Sequence, residues 1–228
     1  MSLPDDGSGA LDLSSPLLQS HLTMLATKAA FHLGPSRACS ITASDGRGVQ
    51  RVASSDPRAA HCDEVAAGEG PCLDAMRDLQ VVQVPDIRAA ARWPAWARVA
   101  DGVGFRSAVA FPCHLDEIAA PAATATLNVY ATDAGRWDRD GFAVCDSYGE
   151  LVAAMVDMCA RLGDLAAQRA ALQDALAAEA VIQRAADAIM ATSGCDRAAA
   201  THALRDRARR GSVDLPPAAR AVLRGRWH

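Results

Sequence analysis

Between Asp138 and Pro216 the chain contains no proline, and its apolar residues recur at intervals of three or four. Side chains of a strand alternate between two faces, whereas this spacing lines them along one side of a helix. The run is therefore helical throughout. Everything before Asp138 reads differently, with helical and β-prone stretches alternating between Gly and Pro breaks. An α+β body followed by an all-helical segment is the plan that satisfies both halves. A length of 228 residues suits one ordinary domain plus a small second one. Aromatic residues make up only 4%, and alanine about a fifth. The core must be built from Val, Leu, Ile and Ala, and alanine favours helix.

Pro16 to Leu33 places Leu17, Leu18, His21, Leu22, Leu25 and Ala29 at helical spacing. Ser15 stands ahead as a cap and Gly34-Pro35 behind as a stop. Two β-prone runs, Arg37 to Thr42 and Val49 to Ser54, flank Ser44-Asp45-Gly46, and Asp-Gly between such runs predicts a hairpin. Short helices are predicted over Ala59 to Ala66, from Pro71 to Met76, and over Ala95 to Val103. Val81 to Val84 reads as a buried strand. Phe105 to Pro112 and Ala123 to Ala131 alternate like strands, with an acidic turn at His114 to Pro121 between them. The expectation is a central, mainly antiparallel sheet flanked by helices.

Seven cysteines, an odd number with no CxxC pair, argue against a disulfide framework and a structural zinc site. No metal-ligand set is expected. HExxH, Walker, GxSxG and paired-carboxylate motifs are absent, so no catalytic residue is assigned and a non-enzyme is expected. No run of 18 apolar residues spans a membrane, and residues 1–15 are polar without a basic, apolar leader. A cytoplasmic protein with a mobile N-terminal tail is the expectation. From Glu179 to His228 nine Arg stand against five Asp/Glu, a net +4, while the preceding residues carry 14 basic and 22 acidic groups, a net −8. A basic end on an acidic body suggests an anionic partner for that end.

Met155, Met158, Leu162, Leu165, Leu172 and Leu176 fall on a 3-4 spacing, with Arg169 in the one polar gap. That is a heptad seam of about three repeats, and a second copy of the same helix is its simplest cover. A parallel homodimer is expected. Residues 161–228 then form a coiled-coil linker and a helical domain behind a body of residues 16–160.

Within that body, Gly70-Pro71-Cys72 opens a helix, and Val84-Pro85-Asp86 follows a strand. Arg92-Trp93-Pro94, Phe105-Arg106-Ser107 and Leu127-Asn128-Val129-Tyr130 then appear in order. This ordered set resembles GAF domains of actinobacterial regulators. The resemblance implies a small-molecule pocket between the sheet and the loops that cover it. Cys72, Trp93, Trp96, Phe105, Ser107, Cys113 and Asn128 are the lining residues expected from it. No motif names a cofactor. Some GAF proteins reduce free methionine sulfoxide, which makes Cys62 and Cys72 a candidate redox pair, with His61 as the basic neighbour. Adjacent helical residues point about 100° apart, which separates His61 from Cys62.

The last segment carries an apolar frame of Ala180, Val181, Ile182, Ala185, Ile189, Met190, Gly194-Cys195, Ala200, Leu204, Leu215 and Ala219. It is similar to an ANTAR domain, a three-helix output module that binds paired RNA hairpins and prevents transcription termination. Helices near 172–191, 196–210 and 215–223 follow. The resemblance implies an RNA-binding face, here Arg184, Arg205, Arg207, Arg209, Arg210 and Arg220. The polar signature departs from the family, which usually carries Arg, Lys and Gly where this chain has Glu179, Ala186 and Asp187. Weak RNA binding is therefore expected, tightened by Glu179→Arg, Ala186→Lys and Asp187→Gly.

Overall fold

The computed structural model describes residues 11–45, 48–65, 68–115 and 123–225. Residues up to Leu165 form one compact unit and those from Ala166 a second. In the first, a five-stranded, wholly antiparallel sheet has the order β2-β1-β5-β4-β3. Its strands are β1 (Arg37–Ser44), β2 (Val49–Ser54), β3 (Val82–Val84), β4 (Ser107–Cys113) and β5 (Thr124–Ala131). The predicted hairpin turn at Gly46 and the acidic turn after Leu115 lie outside the described residues.

The alternation of the strands divides the interior in two. Cys39, Ile41 and Ala43 of β1, Val109, Phe111 and Cys113 of β4, and Ala125, Leu127 and Val129 of β5 all face one side. Helix α1 (Pro16–Leu33) covers that side with Leu18, Leu22 and Leu25, and helix α5 (Arg139–Ser193) with Cys145, Val152 and Val156. Leu11 and Leu13, expected in a mobile tail, are buried in the same core. Burying two leucine side chains is favourable by about 1.5–3 kcal/mol each. Ser15 stands at the start of α1, but its side chain makes no capping bond; its carbonyl accepts from Gln19 N at 3.0 Å. Pro16 at the first helical position already removes one of the orphan donors such a cap would serve.

The even-numbered residues point the other way, beneath α2 (Pro57–Val65), α3 (Pro71–Asp78) and α4 (Pro94–Gly102). A 3₁₀ turn, Ile87–Ala89, lies between β3 and α4. Val81 to Val84 is not the buried strand its composition suggests. It shortens to β3 at the sheet edge, where Val84 alone is buried.

The second unit takes its core from the last turns of α5, from α6 (Arg197–Arg210) and from α7 (Leu215–Leu223). Asp196 caps α6 by accepting from Ala199 N at 2.8 Å. Six of the nine buried core residues are alanine, joined by Ile189, Leu204 and Val222, so these helices approach closely. After Asp140 no strand occurs among the described residues. The seam residues Met158, Leu162, Leu165, Leu172 and Leu176 are each about half exposed or more in the single chain.

Candidate functional site

Register brings a polar set together on the covered even-numbered face. Ser40 of β1 lies opposite Asn128 of β5, Thr42 opposite Thr126, and Ala38 opposite Tyr130. All five polar side chains of this set are buried. Helix α2 packs over β1 and β2, and α3 over β4 and β5. From α2, Asp63 reaches down to the strands. Its carboxylate accepts the Tyr130 hydroxyl at 2.6 Å and the Asn128 amide at 3.4 Å. The same amide donates to Thr42 Oγ1 at 3.0 Å. Burial pushes the Asp63 pKa above the ordinary carboxylate value, opposed by bonds from neutral hydroxyl and amide groups. The same burial, with the Asp63 charge beside it, pushes Tyr130 well up.

Aromatic rings close one end of this face. Trp96 is fully buried, edge-on to Trp93 at 6.1 Å and tilted against Tyr130 at 6.4 Å. Phe105 stacks on Tyr130 at 5.0 Å, with the Arg58 guanidinium 4.9 Å above it. The buried Asp74 of α3 ties the cover shut. It accepts Trp93 Nε1 at 3.0 Å, Arg77 at 2.8 Å and Arg92 at 2.7 Å. Glu69 adds a bond from Ala95 N at 2.6 Å, capping α4.

Of the seven predicted lining residues, Trp93, Trp96, Phe105, Cys72 and Asn128 all lie on this side of the sheet. Cys113 does not; it belongs to the opposite core with Phe111 and Leu127. Ser107 lies at the sheet end, donating to the Asp133 carbonyl at 2.8 Å. There it helps line a separate cavity of 290 Å³ with His32, Arg37 and Trp137. Arg37 pairs with Asp133 and lies 4.9 Å from the Trp137 ring centre. Asp63, Ser40, Thr42 and Tyr130 were missed from sequence.

The thiols are the reverse of activated. Burial first, with the Asp63 charge second, pushes both Cys62 and Cys72 up to about 12. A nucleophilic thiol needs the opposite environment. Five of the seven cysteines are buried, and only Cys159 and Cys195 are partly exposed. A colorimetric thiol reagent should titrate these two rapidly in the native protein and the other five only after denaturation. Rapid native reaction at Cys62 or Cys72 would contradict the burial.

In the helical unit, Arg184, Arg205, Arg209, Arg210 and Arg220 are exposed, and Arg207 is half-buried. Arg207 and Arg210 edge a groove of 730 Å³ between α6 and α7, with Ala203, Val213, Pro217 and Ala221. Asp206 takes up part of the charge, standing 3.5 Å from Arg209 and 3.1 Å from His202. Glu179 accepts from Gln183 at 2.6 Å, and Asp187 pairs with Arg197 at 2.7 Å. Ala186 corrects an expectation: it is buried in the core of this unit, so a lysine there would disrupt packing before reaching any RNA.

A family model described as GAF domain matches residues 21–157, more than half of the chain. No curated protein matches the chain. Among solved structures, one similar fold is a domain assigned to a two-component sensor histidine kinase protein from Sinorhizobium meliloti 1021. It is 11% identical, with a TM-score of 0.50 over 62% of this chain and 91% of that one. A GAF domain from a phosphoenolpyruvate-protein phosphotransferase of Coxiella burnetii is 14% identical, with a TM-score of 0.49 over 66% and 89%. A type II free methionine-R-sulfoxide reductase from Thermoplasma acidophilum is 13% identical, with a TM-score of 0.46 over 61% and 94%. Identities this low speak to fold alone.

Proposed function

Because the chain belongs to the GAF domain family, we propose that it is a signal-responsive regulator, a sensor and not a catalyst. Its first unit binds a small molecule on the covered sheet face, and its helical tail is the output, binding RNA hairpins in the manner of ANTAR domains. The sensor half is carried by one observation. Ser40, Thr42, Asp63, Thr126, Asn128 and Tyr130 gather under α2 and α3 inside an otherwise apolar interior. Polar groups are costly in such a place unless they are paired. Thr42, Asp63, Asn128 and Tyr130 bond one another here, and we read the set as a recognition surface.

The output half rests on the resemblance of the tail together with its exposed guanidinium groups on α6 and α7. Phosphate binding follows net cationic contacts. A second reading is a ligand-sensing homodimer whose tail contacts no RNA. It is favoured by the exposed Glu179 and by Asp187, which occupies the Arg197 guanidinium. Filter binding of the full chain to a paired-hairpin RNA separates the two. Weak binding at low salt is expected, with Arg205→Ala and Arg209→Ala together lowering the logarithmic salt slope by about 1.6. Binding that ignores both arginines, or none at low salt, supports the second reading.

A further inference from the structure

Two outer helices of the sensor unit carry apolar rows that the single chain leaves open to solvent. On α1, Leu17, Met24 and Phe31 are 65%, 44% and 81% exposed. They recur at intervals of seven and, at 3.6 residues per turn, point well away from Leu18, Leu22 and Leu25, which face the sheet. On α5, Leu151, Met158 and Leu165 recur at the same interval, with Met155 and Leu162 between them, and turn away from Cys145, Val152 and Val156 of the core. Both helices cover the same side of the sheet. They meet where His32 Nδ1 lies 2.8 Å from the Tyr148 hydroxyl. The two rows therefore belong to one outward layer.

Their spacing says what kind of surface covers them. On a straight α-helix a seven-residue repeat drifts by about 20° per repeat, and it stays in line only where helices wind around one another. A row with this period is matched to another helix. A lipid surface attracts apolar helical rows with a basic flank, whereas Glu150, Asp157 and Asp164 run beside the α5 row, also at intervals of seven. A small ligand needs a hollow, not a ridge.

Charge narrows the choice further. Lys28, the chain's one lysine, stands within the α1 row between Met24 and Phe31. Among the described residues neither Lys28 nor Glu150 nor Asp164 has an ion-pair partner. A second copy of this chain offers both complements at once: an apolar row of helical period, and an acidic flank for the lysine. We infer that the outward rows of α1 and α5 form one self-association surface, on which a second copy packs helix against helix. The contact starts in the sensor unit and continues along α5 through Leu172 and Leu176, which are equally open. Because α1 packs on β1 and β2, this surface ties the dimer to the sheet and not to the long helix alone.

Sedimentation of the full chain tests the assignment. The unaltered chain is expected to run as a dimer. Met24→Asp with Phe31→Asp leaves α5 untouched, yet should raise the dissociation constant at least about a hundredfold, since four apolar contacts are lost per dimer. Neither side chain belongs to the core, so thermal unfolding followed by dichroism should be unchanged. If that variant fails to fold, Phe31→Ser alone carries the test, with a rise of at least about fivefold. A monomeric unaltered chain overturns the inference. So does a dimer of unchanged strength in the folded variant, which confines the contact to α5. Co-sedimentation with phosphatidylcholine–phosphatidylglycerol vesicles, lost in the variant, would give the rows to a lipid surface and equally overturn it.

Discussion

Trp96→Ala is expected to destabilise the sensor unit by about 3–5 kcal/mol, the range for truncating a buried aromatic ring. The ring is fully buried between α4 and the sheet, held by Trp93 on one side and Tyr130 on the other. Its neighbours are anchored and cannot fill the hole: Trp93 is bonded to Asp74 and Tyr130 to Asp63. A melting temperature lower by roughly 10 °C follows for a chain of this size. Trp96→Phe sharpens the test. Trp96 Nε1 is buried with no hydrogen-bond partner, so replacing the indole with a phenyl ring removes an unpaired donor along with some volume. That variant should lose only about 1 kcal/mol. Urea melts followed by far-ultraviolet dichroism give both numbers. Equal losses in the two variants would mean that the indole nitrogen is satisfied after all.

If the exposed stripe of α5 pairs two copies of the chain, as we propose, Leu162→Asp with Leu165→Asp is expected to halve the solution mass. The two leucines are 56% and 60% exposed in the single chain, on the stripe that runs from Met155 to Leu176. Burying each in a dimer contributes about 1.5–3 kcal/mol, and four are lost per dimer. The sum, about 6–12 kcal/mol, weakens association by at least roughly 10⁴-fold. Because neither leucine is buried within its own chain, helix content should be retained in the variant. Light scattering reports the mass and dichroism the fold. An unchanged mass would show that the stripe does not pair with a second copy.

Much of the fold was legible in the sequence because the signals that determine it are local. Pro16 and Gly34 bracket α1, Pro71 and Pro94 start α3 and α4, and the Asp196 cap opens α6. Strand β3 was misjudged because nothing in Val81 to Val84 says whether a neighbour will pair on its far side. The site was half legible. Aromatic residues and Asn128 stood out by type, whereas Cys113 and Ser107 were included without knowledge of strand parity. Parity was available in one place: Thr126, Asn128 and Tyr130 are the alternate polar members of a strand whose other members are apolar. Asp63 had no such mark. It sits between Cys62 and Glu64 on a short polar helix, and only the tertiary placement of α2 tells its carboxylate from its neighbour's.

The strict alternation along β1 and β5 gives the protein two independent texts on one backbone. Odd positions, Cys39, Ile41, Leu127 and Val129, belong to the core under α1 and α5; even positions, Ser40, Thr42, Asn128 and Tyr130, belong to the polar face. Selection can rewrite the even text and so change what is recognised, while the packing recorded in the odd text is untouched. The same arrangement forbids a frame change. A single residue inserted into either strand would exchange the two texts, sending Ile41 or Leu127 to the recognition face and its polar neighbours into the core. Diversification of such a sensor therefore proceeds by substitution within the strands, with changes of length confined to the connections between them.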